Sequence, residues 1–282
     1  TGTGTKSGGS SSTSASGVTL IYSGDRLGKI EPCGCPQNPM GHIARQVAYV
    51  AEKRRLDPAV LAFDLGNLFF ESLESDALLR EQTARRAVVL SRSLVRLKLD
   101  FLVPGPMDFG AGFGGYKRLV SRSKTPVLAA DLTTASGEPA FEGHRIFERA
   151  GKRILVIGIA GYKPPGTTLV QGDALQAVRA ERARAGPVDI TVIASHLDRP
   201  KAMALAQEES GLAAVLIADK HLHLIPKQAG GAVVVGSSKQ GKHLAELRLQ
   251  HRGKGAYAGG FALRRLEIKR DKASGAARDI LQ

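Results

Sequence analysis

The stretch that most constrains the fold is Val18 to Arg45, VTLIYSGDRLGKIEPCGCPQNPMGHIAR. A buried-type strand pattern from Val18 to Tyr22 breaks at Ser23-Gly24-Asp25. A loop carrying Cys33 and Cys35 follows, and the chain enters a helix at about Asn38 to Gly41. Strand, acidic turn, glycine-bearing loop and helix is how an α/β protein places reactive groups at the carboxyl edge of its sheet. Cys33-Gly34-Cys35 sits on that loop between Pro32 and Pro36, where side chains from several strands are expected to converge.

Alternation continues down the chain. Helical periodicity runs from His42 to Leu56 and from Asp76 to Lys98, the second with Leu78, Leu79, Ala87, Val88, Leu90, Leu94 and Leu97 on its apolar face. Strands are expected at Val60–Asp64, Asp100–Val103 and Pro126–Ala129, with PGPMDFGAGFGG (from Pro104) as a loop. Arg145–Arg149 and Arg153–Ile159 read as a pair around Ala150-Gly151-Lys152. Helices at Asp173–Ala185 and Pro200–Ser210 alternate with strands at Asp189–Ala194, Ala213–Ala218 and Ala232–Val235. Two longer strands, His243–His251 and Phe261–Lys269, end the fold. The expected class is α/β: two mixed sheets packed together with helices outside, a four-layer α/β/β/α sandwich spanning 18–270.

The 282 residues are 43% hydrophobic, enough for a sizeable core, and no apolar run approaches the roughly 20 residues of a spanning helix. A net charge of +14 favours a small anionic partner. The basic residues are scattered, Trp is absent and aromatics are 5%, so nucleic-acid binding is not favoured. Residues 1–17, nearly all Gly, Ser and Thr, read as a flexible tether, and 271–282 as a tail. A tether of this kind in a chain that opens without Met leads to the expectation of an exported protein of the periplasm or envelope, with a lipid anchor as one form.

The motif order resembles the calcineurin-like metallophosphoesterases, above all the N-terminal domain of periplasmic 5′-nucleotidases. Asp25-Arg26-Leu27-Gly28 stands where the family has Asp-x-His-Gly, and Gly41-His42-Ile43-Ala44-Arg45 matches its helix start. Asp64-Leu65-Gly66-Asn67-Leu68-Phe69 matches Asp-x-Gly-Asp-Leu-Phe, and Gly105-Pro106-Met107-Asp108-Phe109-Gly110 falls on Gly-Asn-His-Glu-Phe-Asp. Ser195-His196-Leu197 keeps the family's Ser-His-Leu, and Gly-Gly-His-x-His falls on Ala218 to His223. The resemblance implies a fold built around two divalent cations that activate a bridging water.

At the matching positions Asp25 and His196 keep competent ligands. Leu27 replaces a ligating His, Asn67 the bridging carboxylate, Pro106 a ligating Asn, Met107 the catalytic His and Gly110 its carboxylate partner. His221 and His223 reach the last ligand positions only with a one-residue shift. The resemblance also implies a base-recognising C-terminal domain, which this chain does not carry before Gln282, so nucleotide specificity is not carried over. Phosphohydrolysis is expected to be weak or lost.

Cys33 and Cys35 are the only cysteines, so an intramolecular disulfide could join only these two, closing a loop too short to stabilise the chain much. Gly34 gives the freedom to close so tight a ring, which would be readily reduced. The same thiolates could instead hold Cu(I), with Met40, Met107 or His42 nearby. The pair also resembles the Cys-Gly-Cys of nucleotidase-like (seleno)proteins. Three readings follow: a thiol-redox or soft-metal protein with a thiol partner or small anionic ligand; a divergent phosphoesterase with Zn, Mn or Fe on Asp25, Asp64, His196 and a C-terminal histidine; and a non-catalytic envelope module.

Overall fold

The structure, a computed structural model, describes residues 17–33, 39–73, 77–218, 225–252 and 256–267; the side chains of 33, 251, 252 and 256–259 are outside the description. In chain order, the strands of the two large sheets are β1 (Val18–Ser23), β2 (Leu61–Asp64), β3 (Phe101–Leu102), β4 (His144–Arg149), β5 (Lys152–Ile159), β6 (Ile190–Ser195), β7 (Ala214–Ile217), β8 (Lys227–Ala229), β9 (Ala232–Gly236), β10 (His243–Arg252) and β11 (Ala256–Arg265). One sheet has the order β11-β10-β1-β2-β3, the other β8-β9-β7-β6-β5-β4. β1, β2 and β3 are parallel, as are β5, β6, β7 and β9; β4, β8, β10 and β11 join antiparallel.

Side chains alternate across a strand, so one apolar run supplies two layers. Leu20 and Tyr22 of β1, Leu61 and Phe63 of β2, and Ile154 and Val156 of β5 point between the sheets into one shared core. Ile21 and Ala62 point the other way, towards helices α1 (Ile43–Leu56), α2 (Arg80–Leu97) and α3 (Gly112–Ser121). Leu155, Ile157 and Ile193 likewise face α4 (Ala174–Ala185) and α5 (Arg199–Glu208). The four layers of the expected sandwich are all present.

Within the inner layer, aromatic rings line up across strands. Tyr22 lies opposite Phe63, and Phe63 opposite Phe101, in the parallel register. Their ring centroids are 5.5 and 4.4 Å apart, and Phe101 continues to Phe147 of β4 at 6.0 Å, tying the first sheet to the second.

Four readings need correction. PGPMDFGAGFGG is not a loop: Pro106–Ala111 forms a 3-10 turn and α3 begins at Gly112. Its glycines masked the periodicity of Tyr116 and Val120, which are buried. Pro126–Ala129 makes only isolated bridges, Val127 with Leu102 and Leu128 with Glu142. α2 buries Ala87, Leu90, Leu94 and Leu97, whereas Leu78 is 89% exposed in the turn ahead of the helix and Val88 lies off the buried face. Before α1 the chain makes a two-residue bridge, Met40–Gly41, and the helix starts at Ile43.

The aromatic row gives a direct test. Phe63→Ala is expected to lower stability by roughly 3–5 kcal/mol in chemical denaturation, the usual cost of emptying a packed Phe site. A loss below roughly 1 kcal/mol would show that the row does not join the sheets.

Candidate functional site

In an open sheet, groups just beyond the carboxyl ends of parallel strands converge. Here Asp25 follows β1, Asn67 follows β2, Met107 and Asp108 follow β3, and His196 follows β6 of the other sheet. Asp25, Leu27 and Asn67 all have left-handed backbone, φ 48, 55 and 54. Such conformations cost energy in non-glycine residues and persist only where their surroundings hold them. The loops after β1 and β2 do so by zipping together: the N–H groups of Asp25, Leu27 and Gly28 donate to the carbonyls of Gly66, Asn67 and Leu68 at 2.8, 2.7 and 3.0 Å. Gly66, at φ 97, and Gly105 touch so closely that a Cβ on either would collide with the facing backbone.

At the centre lies the Asn67 amide. Its Oδ1 accepts the Met107 N–H at 2.8 Å, which fixes which end of the amide faces inward. Its Nδ2 donates to Asp25 Oδ1 at 2.7 Å and lies 3.1 Å from His196 Nε2. His196 Nδ1 lies 2.9 Å from the Leu65 carbonyl, so it carries the ring proton and donates, leaving Nε2 to accept from Asn67. Tyr162 packs edge-on against the imidazole at 5.8 Å and anchors itself by donating its hydroxyl to the Pro104 carbonyl at 2.9 Å. One neutral NH2 group thus satisfies a carboxylate and an imidazole from different sheets.

The sequence-derived ligand set divides in space. Asp25, Asn67 and His196 meet. Asp64 is used differently: Oδ2 accepts from the Ser23 hydroxyl at 2.6 Å and Oδ1 from the Gly66 N–H at 2.9 Å. Burial raises the Asp64 pKa, opposed by those two hydrogen bonds and by the charge of Arg26. Cys35, His221 and His223 lie outside the described residues, and of Cys33 only the extended backbone, paired with Met40, is described. Met40 Sδ accepts contacts from Arg265 at 3.1 and 3.3 Å, so a cation at that sulfur would face a guanidinium. His42 caps α1, its Nδ1 accepting the Ala44 N–H at 3.1 Å.

These donors do not fit a two-metal centre. Divalent cations need four or more hard or borderline donors, and the meeting residues offer one carboxylate and one imidazole, both already bonded to Asn67. Among the described residues no group of three or more His, Cys, Asp and Glu could hold an ion.

Residues that the motif reading passed over support the cluster. Arg26 is fully buried; it donates to the Lys29 carbonyl at 3.0 Å and to Gln46 Oε1, and Gln46 passes the chain on to the Ser23 hydroxyl at 2.9 Å. Burial lowers its pKa to about 10, against the pull of Asp64, so it remains a cation at neutral pH. Asp108 ties the loops after β2 and β3, accepting from Leu68 and Phe69 N–H at 2.7 and 3.0 Å and from Gly105 N–H at 2.9 Å. Only its place in the Gly105–Gly110 motif could have marked it.

Two outcomes follow. Asn67→Asp replaces a donor by an acceptor facing Asp25, and is expected to cost roughly 1–3 kcal/mol in the presence of chelator; a variant as stable as the parent would dissolve the amide bridge. Burial pushes the Asp108 carboxyl from the ordinary 3.8 up to about 7, against its three N–H donors. The folded chain therefore holds this proton more tightly than the unfolded chain, and the contribution is full below pH 3.8 and lost as pH rises through about 7. The stability difference between parent and Asp108→Asn should fall across that window and stay flat above it; a difference that is flat throughout contradicts the assignment.

No family model and no curated protein matches the chain. Solved structures do. The chain is similar to a 5′-nucleotidase precursor from Thermus thermophilus, with 20% identity, TM-score 0.78, and coverage of 94% of this chain and 57% of that one. The sulfate thiohydrolase SoxB of Thermus thermophilus aligns at 18% identity and TM-score 0.77, over 94% and 59%. The calcineurin-like phosphoesterase YfkN of Bacillus subtilis aligns at 15% and 0.71, over 94% and 95%. The chain spans little more than half the length of the first two. Its fold is that of the metallophosphoesterases, shared with 5′-nucleotidases and calcineurin-like phosphoesterases.

Proposed function

We propose that the chain is an exported, 5′-nucleotidase-like protein of the periplasm or envelope whose dinuclear site is degenerate and whose working group is the Cys33-Gly34-Cys35 pair, used for thiol redox or for holding a soft metal. The observation that supports it most is the Asn67 amide, whose NH2 lies between Asp25 and His196 where the fold's relatives would place a cation. Met107 adds to it. Its thioether stands at the catalytic-histidine position and cannot protonate a leaving group, while its backbone N–H serves to orient Asn67.

Support for the cysteines comes from their setting. Both fall in the sequence between β1 and α1, the same stretch that carries Asp25, and prolines flank the pair. The positive charge of the chain and the neighbouring Lys29 favour thiolate over thiol, with Glu31 opposing. A neighbour of this fold is named a sulfate thiohydrolase, so proteins so folded are not all named for phosphate esters. Export rests on the Gly/Ser/Thr run of residues 1–17.

Turnover of a generic aryl phosphate and of nucleoside monophosphates, with added Mn2+, is expected to stay near background; robust turnover abolished by His196→Ala would refute the degenerate-site reading. Native mass spectrometry with an alkylating agent is expected to label Cys33 and Cys35 after mild reduction and to show protection after mild oxidation. If both remain unlabelled until denaturation, the redox and soft-metal roles fail together.

A further inference from the structure

A cavity of about 400 Å³ lies on the outer helical layer, between α2 and α3 and away from the Asn67 bridge. Its size falls within the range of small-molecule sites. It exists because the facing positions are small. Ala84 and Ala87 of α2, and Ala111 and Gly115 on the α3 side, all line it. Phe70, Ala87, Val88 and Leu119 give the walls an apolar part, beside Thr83 and Ser91. Val88 is 42% exposed, so its side chain is within reach of a ligand in the cavity.

The rim is cationic. Arg80, Arg118 and Arg122 line the cavity and no Asp or Glu does. Among the described residues none of the three forms an ion pair, whereas the acidic residue beside Arg80, Glu81, is taken by Arg85 at 2.6 Å. Arg118 folds back over α3, its Nη1 3.6 Å from where a Cβ on Gly114 would be. On the opposite helical layer, by contrast, Arg179 and Arg182 of α4 both pair with Glu209. Three guanidiniums with no ion pair among the described residues, around a largely apolar slot, suit a planar or tetrahedral oxyanion carried on an apolar body.

We infer that this cavity binds a small amphiphilic anion, a carboxylate, sulfonate or phosphate ester with an aromatic or aliphatic body: the apolar part sits between α2 and α3 and the head group meets Arg80, Arg118 and Arg122. The inference is independent of the cysteines and of the Asn67 bridge.

The test is calorimetric titration of the full chain with naphthalene sulfonate, which no phosphoesterase can hydrolyse, against sulfate and naphthol as head-only and body-only controls. Saturable binding of one sulfonate per chain is expected, with both controls weaker. Arg118→Gln/Arg122→Gln should weaken it by about tenfold or more, as loss of charge-assisted hydrogen bonds requires. Ala84→Phe, which fills the slot, should abolish it with the circular dichroism unchanged, and Arg179→Gln, on the far helical layer, should leave it intact. Absence of saturable binding, equal affinity for sulfate, or unchanged affinity in both cavity variants would overturn the inference.

Discussion

The structure turns on one amide. Asn67 reaches Asp25 and Met107 within its own sheet and His196 from the other, so four strand ends are joined through a single side chain. The bonding is directional: the Met107 N–H takes the oxygen, which leaves the NH2 for the carboxylate and imidazole. In a dinuclear phosphoesterase, cations neutralise the negative charge gathered at the same strand ends. A neutral amide can satisfy acceptors but supplies no charge to polarise a phosphate or acidify water. On the proposed reading, an amide at the position of a bridging carboxylate would keep the architecture and lose that chemistry.

The charge still has to be balanced, and a second layer does so. Asp64 and Asp108 are buried behind the loops, and both are held by backbone N–H groups as well as desolvated. Arg26 supplies the compensating cation from within the same loop as Asp25, tied by Gln46 and Ser23 to Asp64. Buried charge of this sort does little for net stability unless every partner is in place. Its effect is to fix three loops in one arrangement, the condition for Asn67 to find its acceptors. The strained backbone at Asp25, Leu27 and Asn67 is confined to the same loops.

Much of this was legible in the sequence where periodicity is strong. The alternation along β1, β2 and β5 separates an inner from an outer layer, and those side chains do so in space. The motif order placed Asp25, Asn67 and His196 at one strand edge, where they meet. Glycine density hid α3, because helix signals weaken when the punctuating residues are also the packing residues. The apolar leucines before α2 extended its expected face past the true start. What no single-sequence pattern carries is which way an amide turns, or that Asp64 would bond to Ser23 and Gly66 instead of joining Asp25. Those depend on contacts between residues some 40 positions apart.

The central claim is that Asn67 donates to Asp25 and His196 in the resting protein. Its side-chain amide signals in a 15N-labelled sample, assigned by their loss in Asn67→Ala and followed while Zn2+ or Mn2+ is added, test this most directly. The account predicts two distinct protons, slow to exchange with solvent and unmoved by either ion. Signals that exchange freely, or that shift or vanish as a stoichiometric ion is taken up, would show a working metal centre in place of the amide bridge.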